Sequence, residues 1–437
     1  MPSDLVYQIF PDRWRREAPE PRVAAGAWRW RNHPIRFSSD PRQLTVNPSD
    51  QYTFYGGDLA GVTASLPYLQ ELGVGTLYLT PIFQARSTHR YDAVDYGAID
   101  PILGTRADFS ELATRLRAGG IRLFLDGVFN HTSEDHPWHR DAARRGRFYV
   151  PDAAGGTMTW QGGGTLPKLD TQRPAVAREI LRVLDAWPET DGWRLDAAHL
   201  LPQAFLARLR KHAHPRPIVV EDWFYARHYL ARGLADGVTN MLFREAMRSY
   251  FREDCSPETL FERLGLYIDR YPRRAMAHTW NLLDNHDLPR FRSLVGRDRL
   301  FRALVLLFTL PGTPLLYQGT EIGMEGKTEG ESRSPMIWDR RRWDLELLAH
   351  VRELNALRRE NPVLMRGSFA QLAADNRSRT LVFERRTASA RAVVGVNDGH
   401  HAFRYQGDGF RMDLPPGCWQ LLIESRGIGR RIWPHEP

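Results

Sequence analysis

A chain of 437 residues with 42% hydrophobic and 26% charged residues is long enough for one large α/β domain plus one or two smaller units, and the composition is that of an ordinary globular protein. The formal net charge of +8 is carried almost wholly by arginine, since lysine stands only at positions 168, 211 and 327; no long basic block and no recognisable nucleic-acid-binding module accompany it, so no nucleic-acid partner is expected. Cys255 and Cys418 alone supply neither a disulfide framework nor a zinc spacing.

The start of the chain, Met1 to Tyr7, shows no basic region followed by an apolar stretch, so no signal peptide is expected and the expected compartment is the cytoplasm. Short β-type runs then recur with helix-like stretches between them. The strands are expected at Leu5–Phe10, Thr76–Thr80, Arg122–Val128, Gly192–Asp196, Pro217–Glu221, Gly237–Met241, His278–Leu283 and Thr313–Tyr317. Helices are expected among others at Phe109–Ala118, Arg173–Ala186, Gln203–His212 and Pro257–Tyr267. The alternation predicts a parallel (β/α)₈ TIM barrel. The most apolar segment, Leu300 to Tyr317, is broken by Arg302, Pro311, Gly312 and Pro314, and reads as a buried helix, a turn and a buried strand rather than a membrane span.

Two insertions interrupt the alternation. One runs from about Arg13 to Asp58 and carries Trp28 and Trp30 beside Arg29 and Arg31; these tryptophans are expected to anchor the insertion to the barrel. The other follows the third strand and holds two glycine clusters, Gly155-Gly156 and Gly162-Gly163-Gly164. Insertions after barrel strands sit on the active-site face. After Asn361-Pro362 the pattern changes to short alternating strands such as Leu381–Glu384 and Arg391–Val396, which predict a C-terminal antiparallel β-sandwich. The expected organisation is barrel over 1–129 and 173–361, an inserted domain over 130–172, and the C-terminal domain over 362–437.

Three of the strand ends carry a carboxylate: Gly192-Trp-Arg-Leu-Asp196, Val219-Val-Glu221-Asp-Trp223 and Leu283-Asp-Asn-His-Asp287. A barrel gathers strand ends at one rim, so Asp196, Glu221 and Asp287 are expected around a single pocket. Cleavage of a glycosidic bond needs such a set, with one carboxylate attacking the anomeric carbon and a carboxylic acid protonating the leaving oxygen. Asp196 suits the nucleophile because Arg194, two residues earlier, shares its face of the strand and keeps it ionised. Glu221 suits the acid/base, with Asp222 and the other two carboxylates as sources of the negative charge that raises its pKa and Trp223 as a shield against water. Asp287 is left to stabilise the oxocarbenium-like transition state, with Asn285 and His286 beside it. Trp193, on the opposite strand face from Arg194, is expected in the core.

On these motifs the chain resembles the α-amylase family, glycoside hydrolase family 13, over nearly its whole length. Asp126-Gly-Val-Phe-Asn130-His131 is similar to the first conserved region of that family, Gly192 to Asp196 to its nucleophile region, Glu221 to Trp223 to its acid/base region, and Asp284 to Asp287 to its stabiliser region. Gly312-Thr-Pro-Leu-Leu-Tyr-Gln-Gly319 fits its eighth strand. Leu166-Pro-Lys-Leu-Asp170, Gly56-Gly-Asp-Leu-Ala-Gly61 and Pro335-Met-Ile-Trp-Asp339 resemble the neopullulanase, cyclomaltodextrinase and maltogenic amylase group. That group usually carries an extra N-terminal β-domain, whereas here the first barrel strand begins almost at once. Asp170 stands where the group has Asn, Val220 where Gly is usual and Asp222 where an apolar residue is usual; along a strand Asp222 is expected to point away from Glu221, altering its environment rather than adding a second catalyst.

The resemblance implies a retaining double displacement with Asp196 as nucleophile, Glu221 as acid/base and Asp287 as stabiliser. It implies that His131, Arg194 and His286 contact the sugar or the nucleophile before the scissile bond, that Asp126 pairs with Arg194, and that Tyr91 stacks on the same sugar. Trp160 is implied on the leaving side. The implied substrate is an α-1,4-linked glucan oligosaccharide, cyclodextrins and pullulan included, with transfer to sugar acceptors as a side reaction. A transferase or trehalose-forming isomerase of the same family is the rival, and a non-catalytic glucan-binding protein the rival from another class. No cofactor is implied; calcium at Asn130 is the one metal left open, and so is the oligomeric state.

Overall fold

The computed structural model describes residues 5–30, 32–38, 50–162, 164–407, 409–425 and 429–435; Arg31 and Gly163, named above, lie outside the described residues. Eight parallel strands close into a barrel: β1 (Leu5–Ile9), β2 (Val74–Leu79), β3 (Arg122–Gly127), β4 (Gly192–Leu195), β5 (Ile218–Asp222), β6 (Gly237–Asn240), β7 (Thr279–Leu282) and β8 (Thr313–Tyr317). Each pairs with its neighbour in sequence, and β1 closes on β8. All eight lie at the expected places, within two residues at either end.

Strand alternation divides these residues into two layers. Val6, Tyr78, Phe124, Val219, Trp280, Leu282 and Leu315 meet inside the barrel, while Tyr7, Leu77, Leu125, Trp193, Leu195, Val220 and Leu316 face the surrounding helices. Two residues beyond the inner apolar positions come polar ones: Gln8 after Val6, Asp126 after Phe124, Arg194 after Gly192 and Glu221 after Val219. The apolar plug therefore carries a polar ring at the carboxyl ends of the strands.

Gly192 has a steric reason: a Cβ there would stand 2.3 Å from the Phe124 ring. A side chain at 192 would push β4 away from β3, at a cost of about 1–3 kcal/mol for overpacking. The register of those two strands sets Arg194 directly beside Asp126.

The helices between strands include Arg106–Ala118, Pro174–Ala186, Gln203–Ala213, Pro257–Ile268 and Arg297–Thr309. Local signals start them. Thr105 and Asp108 form a reciprocal capping box ahead of the first, and Pro174 occupies the first position of the second. Arg297–Thr309 followed by β8 is the helix and strand expected across positions 300–317. No helix among the described residues is long and apolar enough to cross a membrane.

The first insertion is tied down by Trp28, whose Nε1 donates to Arg86 O at 3.2 Å and whose ring meets Phe54 edge-on. The second insertion is not structureless. It folds into short helices at Pro137–Arg140 and Ala142–Phe148, with isolated bridges pairing His131 with Lys168 and Tyr149 with Leu169.

The C-terminal region has strands β9 (Ser368–Asp375), β10 (Thr380–Arg386), β11 (Ala390–Asn397), β12 (Phe403–Gly407), β13 (Phe410–Leu414), β14 (Trp419–Ser425) and β15 (Gly429–His435). Five of them form an antiparallel sheet in the order β9-β10-β11-β14-β15. The hairpin β12–β13 covers one face through Phe410, Met412 and Leu414 packed on Val382, Val393 and Leu422. Phe383, Val394 and Leu421 on the other face join the core of the barrel's helix layer.

Candidate active site

Arg194 stands fully buried at the centre of the polar ring, and three carboxylates converge on its guanidinium. Its Nη1 donates to both oxygens of Asp126 at 2.9 Å and to Asp196 Oδ1 at 3.2 Å, and its Nη2 lies 2.7 Å from Glu221 Oε1. The other Glu221 oxygen accepts the backbone N–H of Ala197 at 3.0 Å. Ala197 delivers that donor from a left-handed turn, φ 45°, directly after Asp196. Asp126 also accepts from the hydroxyls of Tyr78 and Tyr91, at 2.7 and 3.0 Å.

Across the pocket, the Tyr91 and His286 rings lie parallel, 4° apart in plane with centroids 5.6 Å apart, and Tyr91 Oη is 2.6 Å from His286 Nε2. Burial, with the nearby Arg333 and Arg194 cations, holds His286 down at about 3 against the opposing pull of Asp287, so the ring is neutral at physiological pH. With the Gln8 amide nitrogen donating to Nδ1 at 2.8 Å, the ring proton is assigned to Nε2, pointing at Tyr91 Oη and at Asp287 Oδ2, 3.2 Å away. Arg333 completes this side: its Nε donates to His286 O and its Nη2 to Asp287 Oδ1, both at 2.8 Å.

The electrostatics separate the carboxylates. Burial raises Asp196 well above the ordinary range, with Glu221 reinforcing it and Arg194 opposing. Burial likewise raises Glu221, against the pull of Arg194 and helped by Asp287 and Asp126. The two act as a pair that keeps a proton to higher pH than free carboxylates would. Asp287 goes the other way. Burial would raise it, but His286, Arg333 and Arg194 together lower it. Since His286 is itself neutral near pH 7, the cations Arg333 and Arg194 are what favour the ionised form of Asp287 there.

The structure brings Asp126, Arg194, Asp196, Glu221, Tyr91, His286 and Asp287 into one bonded set. His131 joins through Nε2 to Tyr91 O at 3.1 Å, and burial holds its ring at about 4, hence neutral. Trp160 lies beside it, ring centroids 5.8 Å apart. Asp222 points to the other side of β5 from Glu221, as strand alternation predicts, and its Oδ1 accepts Phe224 N at 2.6 Å. Two expectations are corrected. Asp222 does not supply charge to Glu221; the carboxylates that act on Glu221 are Asp287 and Asp126. Trp223 does not shield the site from water. The chain turns outward after β5, leaving Trp223 41% and Phe224 72% exposed. Trp193 is fully buried against Phe129, in the core as expected.

Gln8, Tyr78, Ala197 and Arg333 were not among the expected site residues. Strand alternation in Val6 to Phe10 places Gln8 inward, and Arg333 stands two residues before the Pro335 motif; a backbone donor such as Ala197 N leaves no side-chain signal. The calcium question turns on Asn130. Its Oδ1 is buried without a hydrogen-bond partner and its Nδ2 is 3.2 Å from His131 Nδ1. Among the described residues no three His, Cys, Asp or Glu side chains are grouped to hold a metal, and one amide oxygen does not make the six- to eight-oxygen shell calcium takes.

The chain is similar to known proteins over most of its length. The family model described as alpha amylase, catalytic domain, matches residues 8–154 and 158–343. Neopullulanase 2 of Thermoactinomyces vulgaris is 36% identical over 420 residues, covering 90% of this chain and 69% of its own length. A cyclomaltodextrinase of Geobacillus thermopakistaniensis is 34% identical over 421 residues, 91% of this chain and 69% of its own. Among solved structures, the ligand-free cyclic α-maltosyl-(1→6)-maltose hydrolase of Arthrobacter globiformis superposes with a TM-score of 0.86 at 30% identity, covering 97% of this chain and 98% of that one.

Proposed function

The chain belongs to the α-amylase family, and on that premise we propose that it is a retaining α-glucan hydrolase cleaving α-1,4-glucosidic bonds of maltodextrins. The observation that carries the reading is the single guanidinium of Arg194 shared by Asp126, Asp196 and Glu221. Family membership and fold do not by themselves assign an activity; the bonded carboxylate set is what supports one.

In the first step an Asp196 oxygen attacks the anomeric carbon while the glycosidic C–O bond breaks and Glu221 gives its proton to the leaving oxygen. A glycosyl ester on Asp196 results. In the second step Glu221, now a carboxylate, takes a proton from water, whose oxygen attacks the same carbon as the bond to Asp196 breaks. Two inversions return the α configuration. Asp287, its ionised form favoured by Arg333 and Arg194, faces the positive charge that builds on the ring. Tyr91, His131 and His286 hold the sugar as neutral groups, so they orient it without titrating near neutrality.

The glycosyl ester is open to any hydroxyl that reaches it, and we propose that Trp223, exposed two residues after the acid/base, gives an incoming acceptor a ring face to stack on. Transfer to sugar acceptors is therefore part of the proposal. Cyclic glucans belong among the substrates to be tried, given the likeness to the cyclic maltosyl-maltose hydrolase over almost the whole of both chains. The free thiols of Cys255 and Cys418 suit the reducing cytoplasm. The test is a time course on maltotriose, maltoheptaose, β-cyclodextrin and pullulan with products resolved by size and anomer. Initial α-anomeric products support the proposal, and β-anomeric products or no cleavage refute it.

A further inference from the structure

At the opposite end of the barrel from the catalytic carboxylates lies a cavity of about 760 Å³, next to the starts of β6 and β7. Its charge is one-sided. The single carboxylate lining it, Asp236, is taken up by Arg210 through two 2.7 Å contacts and by Ile218 N at 2.8 Å. Lys211, Arg232 and Arg274 remain. Arg232 donates to Gln203 Oε1 and Arg274 to Leu230 O, both neutral acceptors, and Lys211 has no hydrogen bond or ion pair among the described residues.

Helix ends account for part of this. Arg210 and Lys211 stand in the last turn of Gln203–Ala213 and Arg232 follows the short helix Arg227–Ala231, where cations offset the helix dipole. Arg274 stands in the first turn of the 3₁₀ helix Arg273–His278, the end that disfavours a cation. Three cations from separate segments thus face one cavity whose lining holds no further carboxylate among the described residues. Burial, with Arg122 and Arg210 outweighing Asp236, keeps His278 at about 4, a neutral donor in a positive field.

We propose that this cavity binds a small organic phosphate, its phosphoryl oxygens held by Lys211, Arg232 and Arg274. Guanidinium and ammonium donors with no competing carboxylate are the chemistry of phosphate recognition. The volume exceeds what a bare phosphate ion fills, and the apolar floor is small and aliphatic, Leu234 and Ala235. No Phe, Tyr or Trp lines it, so a nucleobase finds no large aromatic ring to stack on and a sugar-sized body is the better fit.

Isothermal calorimetry of the full chain with glucose 6-phosphate and with inorganic phosphate, against sodium chloride of matched ionic strength, tests this. The expected result is saturable one-to-one binding, tighter for glucose 6-phosphate. Arg274→Gln and Lys211→Gln should each weaken it roughly tenfold, the loss of one charge-assisted hydrogen bond. Both side chains are exposed, and Lys211→Gln removes no internal contact, so folding and glucan cleavage should be retained. Absence of saturable binding, or binding unchanged in both variants, would overturn the site; equal affinity for the two probes would overturn the organic ligand.

Discussion

The Arg194 guanidinium reaches Glu221 Oε1 at 2.7 Å through Nη2 and Asp196 Oδ1 at 3.2 Å through Nη1, so one side chain holds both carboxylates that the double displacement employs. Arg194 opposes burial at each of them. It therefore sets how much of the pair is in the reactive form, with Asp196 ionised and Glu221 protonated.

Replacing Arg194 by Gln should lower kcat roughly 10- to 100-fold, the loss of charge-assisted hydrogen bonds to the reacting groups. The rate optimum should move to higher pH. Without the cation both carboxylates protonate more readily, and Asp196 becomes ionised only at higher pH. A pH–rate profile checks this, and an optimum that stays put would contradict it.

Stability should move against activity at Asp196. Its pKa is raised in the fold, so its ionisation opposes folding: the stability is present below the ordinary carboxylate value and is lost as pH rises through the raised one. Asp196→Asn should abolish turnover yet stabilise the protein at pH 7 by on the order of 1 kcal/mol. The gain should shrink as pH falls toward 4. Thermal unfolding of both proteins across that range measures it.

Arg333 is the positioning residue for Asp287. The Asp287 pKa is depressed, so the stability it contributes is present above the ordinary carboxylate value and lost as pH falls through the lowered one. Arg333→Gln should reduce kcat roughly tenfold and move the acid limb of the pH profile upward, because an unpaired Asp287 takes up a proton sooner. Arg333→Lys should restore part of both. A purely structural role would lower thermal stability and leave the acid limb in place.

Trp223 should act on the acceptor rather than on the bond cleaved. Trp223→Ala is expected to lower the share of transfer products with added maltose and to raise KM for long glucans roughly two- to tenfold, as loss of one stacking face allows. Initial hydrolysis of maltotriose should change less. Product ratios by chromatography decide, and an unchanged ratio would remove Trp223 from the acceptor side.

The barrel was legible because each strand is a short apolar run whose inner positions end in a polar residue, as in Phe124 then Asp126 or Val219 then Glu221. Asp196 and Glu221 were legible for the same reason, each at the end of its strand, whereas Asp287 lies five residues beyond β7 and was legible from the Asp284-Asn-His-Asp287 run. What escaped the sequence is what distance in the chain conceals. Arg333 reaches Asp287 across 46 positions and Gln8 reaches His286 across 278, and neither pairing has a local pattern. Asp222 closes β5 and obeys its alternation, facing away from Glu221, whereas Trp223 stands beyond the strand end. Once Asp222 Oδ1 takes Phe224 N the chain leaves the pocket, and alternation no longer tells which way a side chain points.

The most direct test of the account is whether Asp196 carries the sugar. Glu221→Gln enzyme supplied with α-maltosyl fluoride, whose fluoride leaves without a proton, should form the ester but hydrolyse it slowly, and peptide mass spectrometry after an acid quench reads where the sugar sits. The account predicts a maltosyl adduct on the peptide containing Asp196, absent in Asp196→Asn,Glu221→Gln. Consumption of the fluoride with Asp196 unmodified, or an adduct on another carboxylate, would contradict it.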